Sequence, residues 1–417
     1  MSYEVKDIKL AEQGAMSIEY AESQMGALLE VKKRFEKEKP LKGIKVGMAL
    51  HVTKETAVLV RTLIAGGAEV SITGCNPLST QDDVAAALAK EGVSVYAYKG
   101  ETKEDYYKYL NKVLDFAPNA TIDDGCDIIS EIHTKRKDLL KNLIVGTEET
   151  TTGVIRVRAM EKDNALKYPI IAVNDNKTKH LFDNYYGTGQ STIDGILRAT
   201  NVLLAGKTFV VCGYGSCGKG VAIRAKGMGS NVIVCETDAV KALQAQCDGN
   251  ILMPLNEAAK IGDIFLTVTG NKHIIRMEHI NQMKSGAIIA NSGHFDVEID
   301  VASLEKEAKG KRRIRWQLDE YVLKNGKKVF LCAEGRLVNL AAAEGHPSTV
   351  MALSFCGQAL ALEYGIKNKG KLKAGVHTLP KEIDDKIAEL QLNAMGLKKG
   401  NLTDQQKEYL ESWKEGT

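Results

Sequence analysis

Short apolar runs alternate with longer half-polar stretches along most of the chain. After a polar, helix-prone opening that ends near Pro40, residues 42–50 read as a buried strand and 52–65 as a helix. The alternation continues with strand 68–73, helix 82–91, strand 93–98, helix 103–113 and strand 120–122, which runs into Asp123-Asp124-Gly125. This rhythm predicts a parallel sheet with helices on both faces. Ligands of such sheets sit beyond the carboxyl ends of the strands, and His51, the Thr73-Gly74-Cys75-Asn76-Pro77 turn and Asp124 all fall there.

A second alternation begins at residue 208. The apolar run 208–212 leads into Gly213-Tyr214-Gly215-Ser216-Cys217-Gly218, then helix 219–228 and strand 231–235, which stops at Glu236. In that order the parts have separate uses. Gly213 permits a tight turn, Gly215 lets backbone approach a pyrophosphate, and Gly218 lets helix and strand pack closely. The helix N-terminus offers free N–H groups to phosphate, and Glu236 stands where a carboxylate accepts from ribose hydroxyls and repels a 2′-phosphate. The segment predicts a Rossmann unit that binds NAD. Helix 239–246, a short strand near Ile251, helix 255–261 and strand 263–268 follow. Thr269-Gly270-Asn271 and Asn291-Ser292-Gly293-His294 each follow a strand at the cofactor edge. Residues 312–323 and 327–333 read as a hairpin about Asn325-Gly326. Gly345-His346-Pro347 opens a helix over 348–363, and 381–413 is a charged, helix-prone tail.

The fold class expected is α/β, with two doubly wound parallel-sheet domains and a small helical C-terminal tail. Residues 1–186, completed by about 340–375, form a substrate-binding domain; 187–339 form the NAD domain; 376–417 form the tail. Helix 191–204 links the domains, which are expected to close about the 184–191 and 339–348 connections around a water-sensitive reaction.

Composition narrows the setting. A chain of 417 residues is long for one core. The net charge of +3 gives no reason to expect nucleic acid or an acidic membrane as partner. No apolar leader opens the chain, and no run is expected to reach membrane-spanning length. The eight cysteines are scattered, without a Cys-x-x-Cys pair, so neither a disulfide framework nor a metal site is indicated and a reducing cytoplasm is the expected home.

Residues 148–184 are dense in reactive groups. Glu148-Glu149-Thr150-Thr151-Thr152-Gly153 alone reads as a solvated turn and helix cap. After the apolar run 168–173 come Asn174, Asp175, Lys179, Asp183 and Asn184. On a helix, Lys179 and Asp183 share a face at i, i+4 spacing, as a surface ion pair also would.

Taken together, the stretches 74–83, 148–153, 213–220, 293–300 and 333–347 resemble S-adenosylhomocysteine hydrolases over nearly the whole length. The resemblance implies a hydrolase that uses NAD without net redox. Oxidation of the ribose 3′-hydroxyl acidifies the C4′ hydrogen, homocysteine leaves by β-elimination, water adds, and the hydride returns. It places Lys179 and Glu149 at the 3′-hydroxyl, with Lys179 as base, a role that needs its ammonium pKa lowered. Asp183 and Asn184 would hold the ribose and Lys179, and Asp124 with His51 and His294 would serve C4′ and C5′. Thr53 and Glu55 resemble a purine-contacting pair, and His346 with Phe295 a gate over the homocysteine side. Thr150, Thr151, Thr152, Asn184, Gly213, Gly215, Ser216, Cys217, Gly218, Glu236, Lys241, Thr269, Asn271, Asn291, Ser292, Gly293, His294, Asn339 and His346 would bind NAD.

Three departures stand out. Thr188 replaces a cysteine that many members carry near the nicotinamide, and Lys241 replaces an asparagine near the cofactor's adenosine ribose. The chain ends at Glu415-Gly416-Thr417, without the Lys- and Tyr-bearing tail that in many members reaches a neighbouring subunit's NAD. A homotetramer is still expected. The tail and Glu344 resemble the archaeal branch, some of whose members act on S-inosylhomocysteine; adenosyl is placed ahead of inosyl. An NAD-dependent dehydrogenase ranks below because it leaves Lys179, Glu149 and Asp124 without a joint purpose, and a non-catalytic NAD-binding regulator because it would expect losses among His51, Asp124, Glu149, Lys179, Asp183 and His294, all of which are present.

Overall fold

The computed structural model describes residues 2–414; Glu415, Gly416 and Thr417, where the shortened tail was read, lie outside the described residues. The amino-terminal strands are β1 (Glu4–Val5), β2 (Lys45–Ala49), β3 (Glu69–Thr73), β4 (Ser94–Ala97), β5 (Ala120–Asp123), β6 (Val145–Glu148) and β7 (Pro169–Ala172). The second half carries β8 (Thr208–Cys212), β9 (Asn231–Cys235), β10 (Ile251–Leu252), β11 (Ile264–Thr267), β12 (Ala287–Asn291), β13 (Gly310–Arg315), β14 (Leu318–Val322) and β15 (Lys328–Cys332), and β16 (Gly375–His377) comes last. They build two eight-stranded sheets, ordered β1-β4-β3-β2-β5-β6-β7-β16 and β10-β9-β8-β11-β12-β15-β14-β13. The first sheet is parallel throughout, while the second turns antiparallel at β14 and β13. Both are doubly wound, as the alternation predicts.

Each sheet is covered on both faces, which is why its strands read as continuous apolar runs rather than alternating ones. One cluster packs Phe35, Leu59 and Leu63 against Met48 and Ile72; another packs Tyr109, Leu110 and Ile129 on the opposite face of the first sheet. Val221 and Ala225 cover one face of the second sheet, and Ile280 and Met283 belong to the cluster on the other.

Four local expectations change. Residues 312–323 are not one strand: Gln317 at φ +55° breaks them into β13 and β14, so the hairpin is a three-stranded meander. Glu148 and Glu149 are not a solvated cap, because β6 carries both to the buried carboxyl edge of the first sheet. Lys179 and Asp183 do not share one α-helix, since Lys177–His180 gives way to a π-helix over Asp183–Gly187. Finally, the 20-residue helix Ser348–Lys367 is long and apolar enough to span a membrane, contrary to expectation, but 72% of its apolar window is buried inside the fold. It is a core helix, and its apolar residues Phe355, Cys356 and Leu362 join the first cluster.

β16 joins β7 at the edge of the first sheet, and helix Lys381–Ala394 packs on helix Gly26–Glu38. Asp384 on that helix accepts from the backbone N–H of Lys177 (2.7 Å) and Thr178 (3.2 Å), tying it to the segment that bears Lys179.

Candidate active site

The carboxyl edges of the two sheets face one cavity of about 1300 Å³. His51 follows β2, Asp124 follows β5 and Glu149 follows β6 on one side; Gly213 follows β8, Glu236 follows β9, Thr269 follows β11 and Ser292-Gly293-His294 follows β12 on the other. Parallel strands deliver all of these without any proximity in sequence.

On the nucleotide side, the three fingerprint glycines differ in their surroundings. Gly213 sits at φ +107°, a Cβ at Gly215 would meet nothing within 4 Å, and a Cβ at Gly218 would lie 2.1 Å from the Gly213 carbonyl oxygen. Helix Ser216–Gly227 begins at Gly215 without a side-chain cap, so its first N–H groups face the cavity free. Burial pushes the Glu236 carboxyl up, but the N–H groups of Asp238 (2.9 Å), Tyr214 (2.7 Å) and Thr237 (2.7 Å) outweigh it and hold the group below its ordinary value. An anionic carboxylate fixed there suits ribose hydroxyls and excludes a 2′-phosphate. The Lys241 ammonium lies 3.8 Å from Asp238 and does not cancel Glu236. Asn339 is buried with its Oδ1 unpartnered, an acceptor left for an amide such as that of nicotinamide. These residues fit NAD. Thr150, Thr151, Thr152, Ser216, Cys217, Asn271, Ser292 and Gly293 line the same cavity, whereas Gly218, Asn291 and Phe295 do not. Asn291 instead donates to the carbonyls of Gly293, Phe295 and Gly335, and Phe295 meets His294 edge-on at 4.7 Å.

Across the cavity, the Lys179 ammonium is 4% exposed. It lies 2.8 Å from Asn184 Oδ1, 3.3 Å from Asn174 Oδ1, 3.3 Å from Asp183 and 3.7 Å from Glu149. Burial pulls its pKa down, but Asp183 and Glu149 outweigh burial and the net shift is upward. That reverses the lowering expected from sequence: Asp183, visible in the spacing, is joined by Glu149, which the spacing conceals. Asp183, though buried, is held far below the carboxylate range by Lys179 and His346, and Ser354 donates to it at 2.9 Å. Burial pushes Glu149 up to about 8 against the pull of Lys179. Gln358 donates to Glu149 Oε2 at 2.5 Å, which leaves Oε1 buried and unpartnered.

A second group surrounds Asp124. One carboxylate oxygen lies 3.5 Å from His51 Nε2 and the other 3.5 Å from His294 Nδ1. His51 Nδ1 pairs with Ser79 Oγ at 2.8 Å, which fixes the ring. Burial drives His51 down to about 4, with Asp124 opposing and His294 and His346 assisting, so the imidazole is neutral at neutral pH. Its folded pKa lies below the ordinary 6.5, so the unfolded chain binds the extra proton between those values and stability falls as pH drops through that window. His51→Asn is expected to remove about 1–3 kcal/mol of this acid sensitivity, measured by urea unfolding at several pH values. Gly125, at φ +111°, allows His294 its approach: a Cβ there would lie 2.3 Å from His294 Nε2. Gly125→Ala is expected to lower stability by about 1–2 kcal/mol from backbone strain alone and to displace His294, which its imidazole NMR resonances would register.

Between the groups, Thr53 caps helix Lys54–Ala65, and Glu55 accepts from Ser348 Oγ at 2.6 Å. His346 lies 3.5 Å from Asp183 and within 3.3 Å of Thr188 Oγ1 and 3.4 Å of Asn339 Nδ2, so the expected gate touches both connections between the sheets. Sequence reasoning missed Ser354, Gln358 and His180, which pairs with Ser216 at 3.0 Å. Ser354 and Gln358 did carry a signal, as two fully buried polar residues one turn apart in an otherwise apolar helix.

Comparison with known proteins agrees with this geometry. The family model described as S-adenosyl-L-homocysteine hydrolase matches residues 2–144, and that described as S-adenosyl-L-homocysteine hydrolase, NAD binding domain, matches 184–345. The chain is 59% identical to an adenosylhomocysteinase of Aquifex aeolicus and 57% identical to one of Sulfolobus acidocaldarius. It is 58% identical to an S-inosyl-L-homocysteine hydrolase of Methanocaldococcus jannaschii, and all three alignments cover 100% of both chains. With full-length relatives at this identity and both family domains in place, the chain belongs to the S-adenosyl-L-homocysteine hydrolase family.

Proposed function

We propose that this chain reversibly hydrolyses the thioether of an S-nucleosyl-L-homocysteine, releasing L-homocysteine and a nucleoside, with adenosyl preferred to inosyl. The observation that carries the reading is one cavity bounded by a dinucleotide fingerprint, a Lys179–Glu149–Asp183 group and an Asp124 carboxylate set between two histidines. When bound, NAD accepts a hydride from ribose C3′ and returns it at the end of the cycle.

The chain's residues have separate duties around that exchange. Glu149 Oε1, buried and unpartnered, receives a ribose hydroxyl. Lys179 and Glu149 take the 3′-hydroxyl proton as a coupled unit: the ionised form of Glu149 accepts it, and the Lys179 ammonium 3.7 Å away stabilises that form. Asp183 and Asn184 keep the ammonium in place. Once C3′ is a ketone, Asp124 removes the acidified C4′ hydrogen, and His51, together with His294, relays protons to the leaving sulfur and from the attacking water. Thr53 and Glu55 meet the purine. Glu55 accepts equally from the N6 amine of adenine or the N1–H of hypoxanthine, so it does not reject inosyl substrate, and the relatives of both names are near-equal in identity.

The test is to mix purified holoenzyme separately with S-adenosylhomocysteine and S-inosylhomocysteine, following free thiol and near-ultraviolet absorbance. Thiol release without lasting reduction of NAD is expected, faster for the adenosyl compound. Lasting reduction without thiol would mean a dehydrogenase instead, and a clear win for the inosyl compound would reverse the purine order. A cytoplasmic homotetramer completes the proposal. The exposed apolar residues Leu203, Val240 and Leu243 suit burial against further copies, and sedimentation at the mass of one 45.4 kDa chain would exclude it.

A further inference from the structure

Glu148 precedes Glu149 and is fully buried, yet the reaction gives it no part. It stands directly opposite Asp123, which precedes Asp124, in the register of β5 and β6. The two carboxyls therefore lie side by side beneath the turns that present Asp124 and Glu149. Four backbone N–H groups point at them, three from those turns and one from helix Asp127–Thr134. Asp123 Oδ1 accepts from Asp124 (3.0 Å) and Oδ2 from Ile129 (2.9 Å), so both its oxygens act as acceptors. Glu148 uses only Oε1, which accepts from Gly125 (2.9 Å) and Thr150 (3.0 Å).

Glu148 Oε2 is buried with no hydrogen-bond partner, and Gly153 packs against the whole carboxyl: a Cβ there would lie 2.1 Å from its carbon and Oε1 and 2.5 Å from Oε2. The nearby cation, Arg156, favours the ionised form of Asp123 but forms no ion pair with either carboxyl. Arg156 is committed to Asp127 at 2.6 Å and to the Gly125 carbonyl. Two adjacent buried carboxylates without a cation of their own cannot both stay ionised. The division of acceptors decides which takes the proton, since a carboxylic acid keeps one accepting oxygen and one hydroxyl.

We propose that Glu148 is held as a neutral carboxylic acid beside ionised Asp123, and that this pair is the positioning unit which fixes Asp124 and Glu149 for proton transfer. Burial raises both groups, Asp123 to about 7 and Glu148 well above its ordinary value, in the same order. The proton on Glu148 stands on geometry alone, whereas its catalytic consequence rests on the hydrolase reading.

Glu148→Gln mimics the neutral acid and keeps the carbonyl acceptor, so thiol release should stay within about threefold of wild type; Glu148→Ala leaves two buried N–H groups unpaired and should lose about tenfold or more. Asp123→Asn turns an amide N–H toward a backbone donor and should be as damaging as Glu148→Ala. The infrared difference spectrum of wild-type minus Glu148→Gln holoenzyme should show a protonated-carboxyl C=O band, shifted in deuterium oxide, because other protonated carboxyls such as Glu149 absorb equally in both. A difference spectrum without that band, or Glu148→Gln as impaired as Glu148→Ala, overturns the proposal. If Glu148→Ala does not fold, the spectrum and Glu148→Gln still decide. The band with no thiol release from either thioether would leave the Glu148 proton standing and sink the hydrolase reading instead.

Discussion

Lys179→Ala is expected to slow the reduction of bound NAD on mixing with adenosine by about 10³-fold or more, near the upper range for loss of an acid–base group. Two effects combine. The only lysine or arginine within 4 Å of Glu149 and Asp183 among the described residues disappears, so the buried Asp183 carboxylate is left with His346 as its one cationic neighbour. The hydroxyl proton also loses half of the unit that receives it. Lys179→Arg separates the effects: a guanidinium keeps the charge yet does not titrate near neutral pH. It should hold NAD and retain stability closer to wild type while remaining unable to oxidise nucleoside. Stopped-flow absorbance with thermal melts on both variants reads the two quantities apart. If Lys179→Arg reduces NAD as fast as wild type, the lysine is electrostatic support and Glu149 alone takes the proton.

That ambiguity shows where sequence stops being legible. The sheets, their switch edges and the fingerprint could be read because each depends on local apolar runs and on glycines with local duties. Spacing gives Gly213, Gly215 and Gly218 three different tasks; Gly213 and Gly218 each have a steric reason within the fold, whereas Gly215 faces open space. The charge state of Lys179 could not be read this way. Spacing offers Asp183 as a neighbour, but not the burial of the ion pair, nor Glu149 thirty residues earlier, nor Gln358, which holds Glu149 from a helix far along the chain. Glu148-Glu149 resembled a solvated turn because two adjacent acids favour water; only the β5–β6 pairing reveals that both are buried. Three-residue β16 lacks enough apolar periodicity to stand out, and the π-helix at Asp183–Gly187 has no local signature that distinguishes it from an α-turn. What was legible is local; what was missed is held by partners distant in sequence.

The Asp124 group should fail at a different step. Asp124→Asn, His51→Ala and His294→Ala are each expected to lower thiol release by about 10²–10⁴-fold, because proton transfer at C4′ and C5′ passes through them. Oxidation at C3′ should survive, since Lys179 and Glu149 lie outside the Asp124–His51–His294 contacts. All three variants should therefore reduce bound NAD on mixing with nucleoside and then stall. Exchange of the C4′ hydrogen with deuterium oxide, followed by NMR, then assigns the roles. Asp124→Asn should lose exchange, because an amide cannot accept the C4′ proton. The histidine variants should keep it while failing to protonate sulfur, since an acid acting on the leaving group is needed only after C4′ has given up its hydrogen. Exchange retained in Asp124→Asn and lost in His51→Ala would move the base to His51. The 2.8 Å Ser79 contact would then hold an imidazole that takes the proton, with Asp124 balancing the charge it acquires.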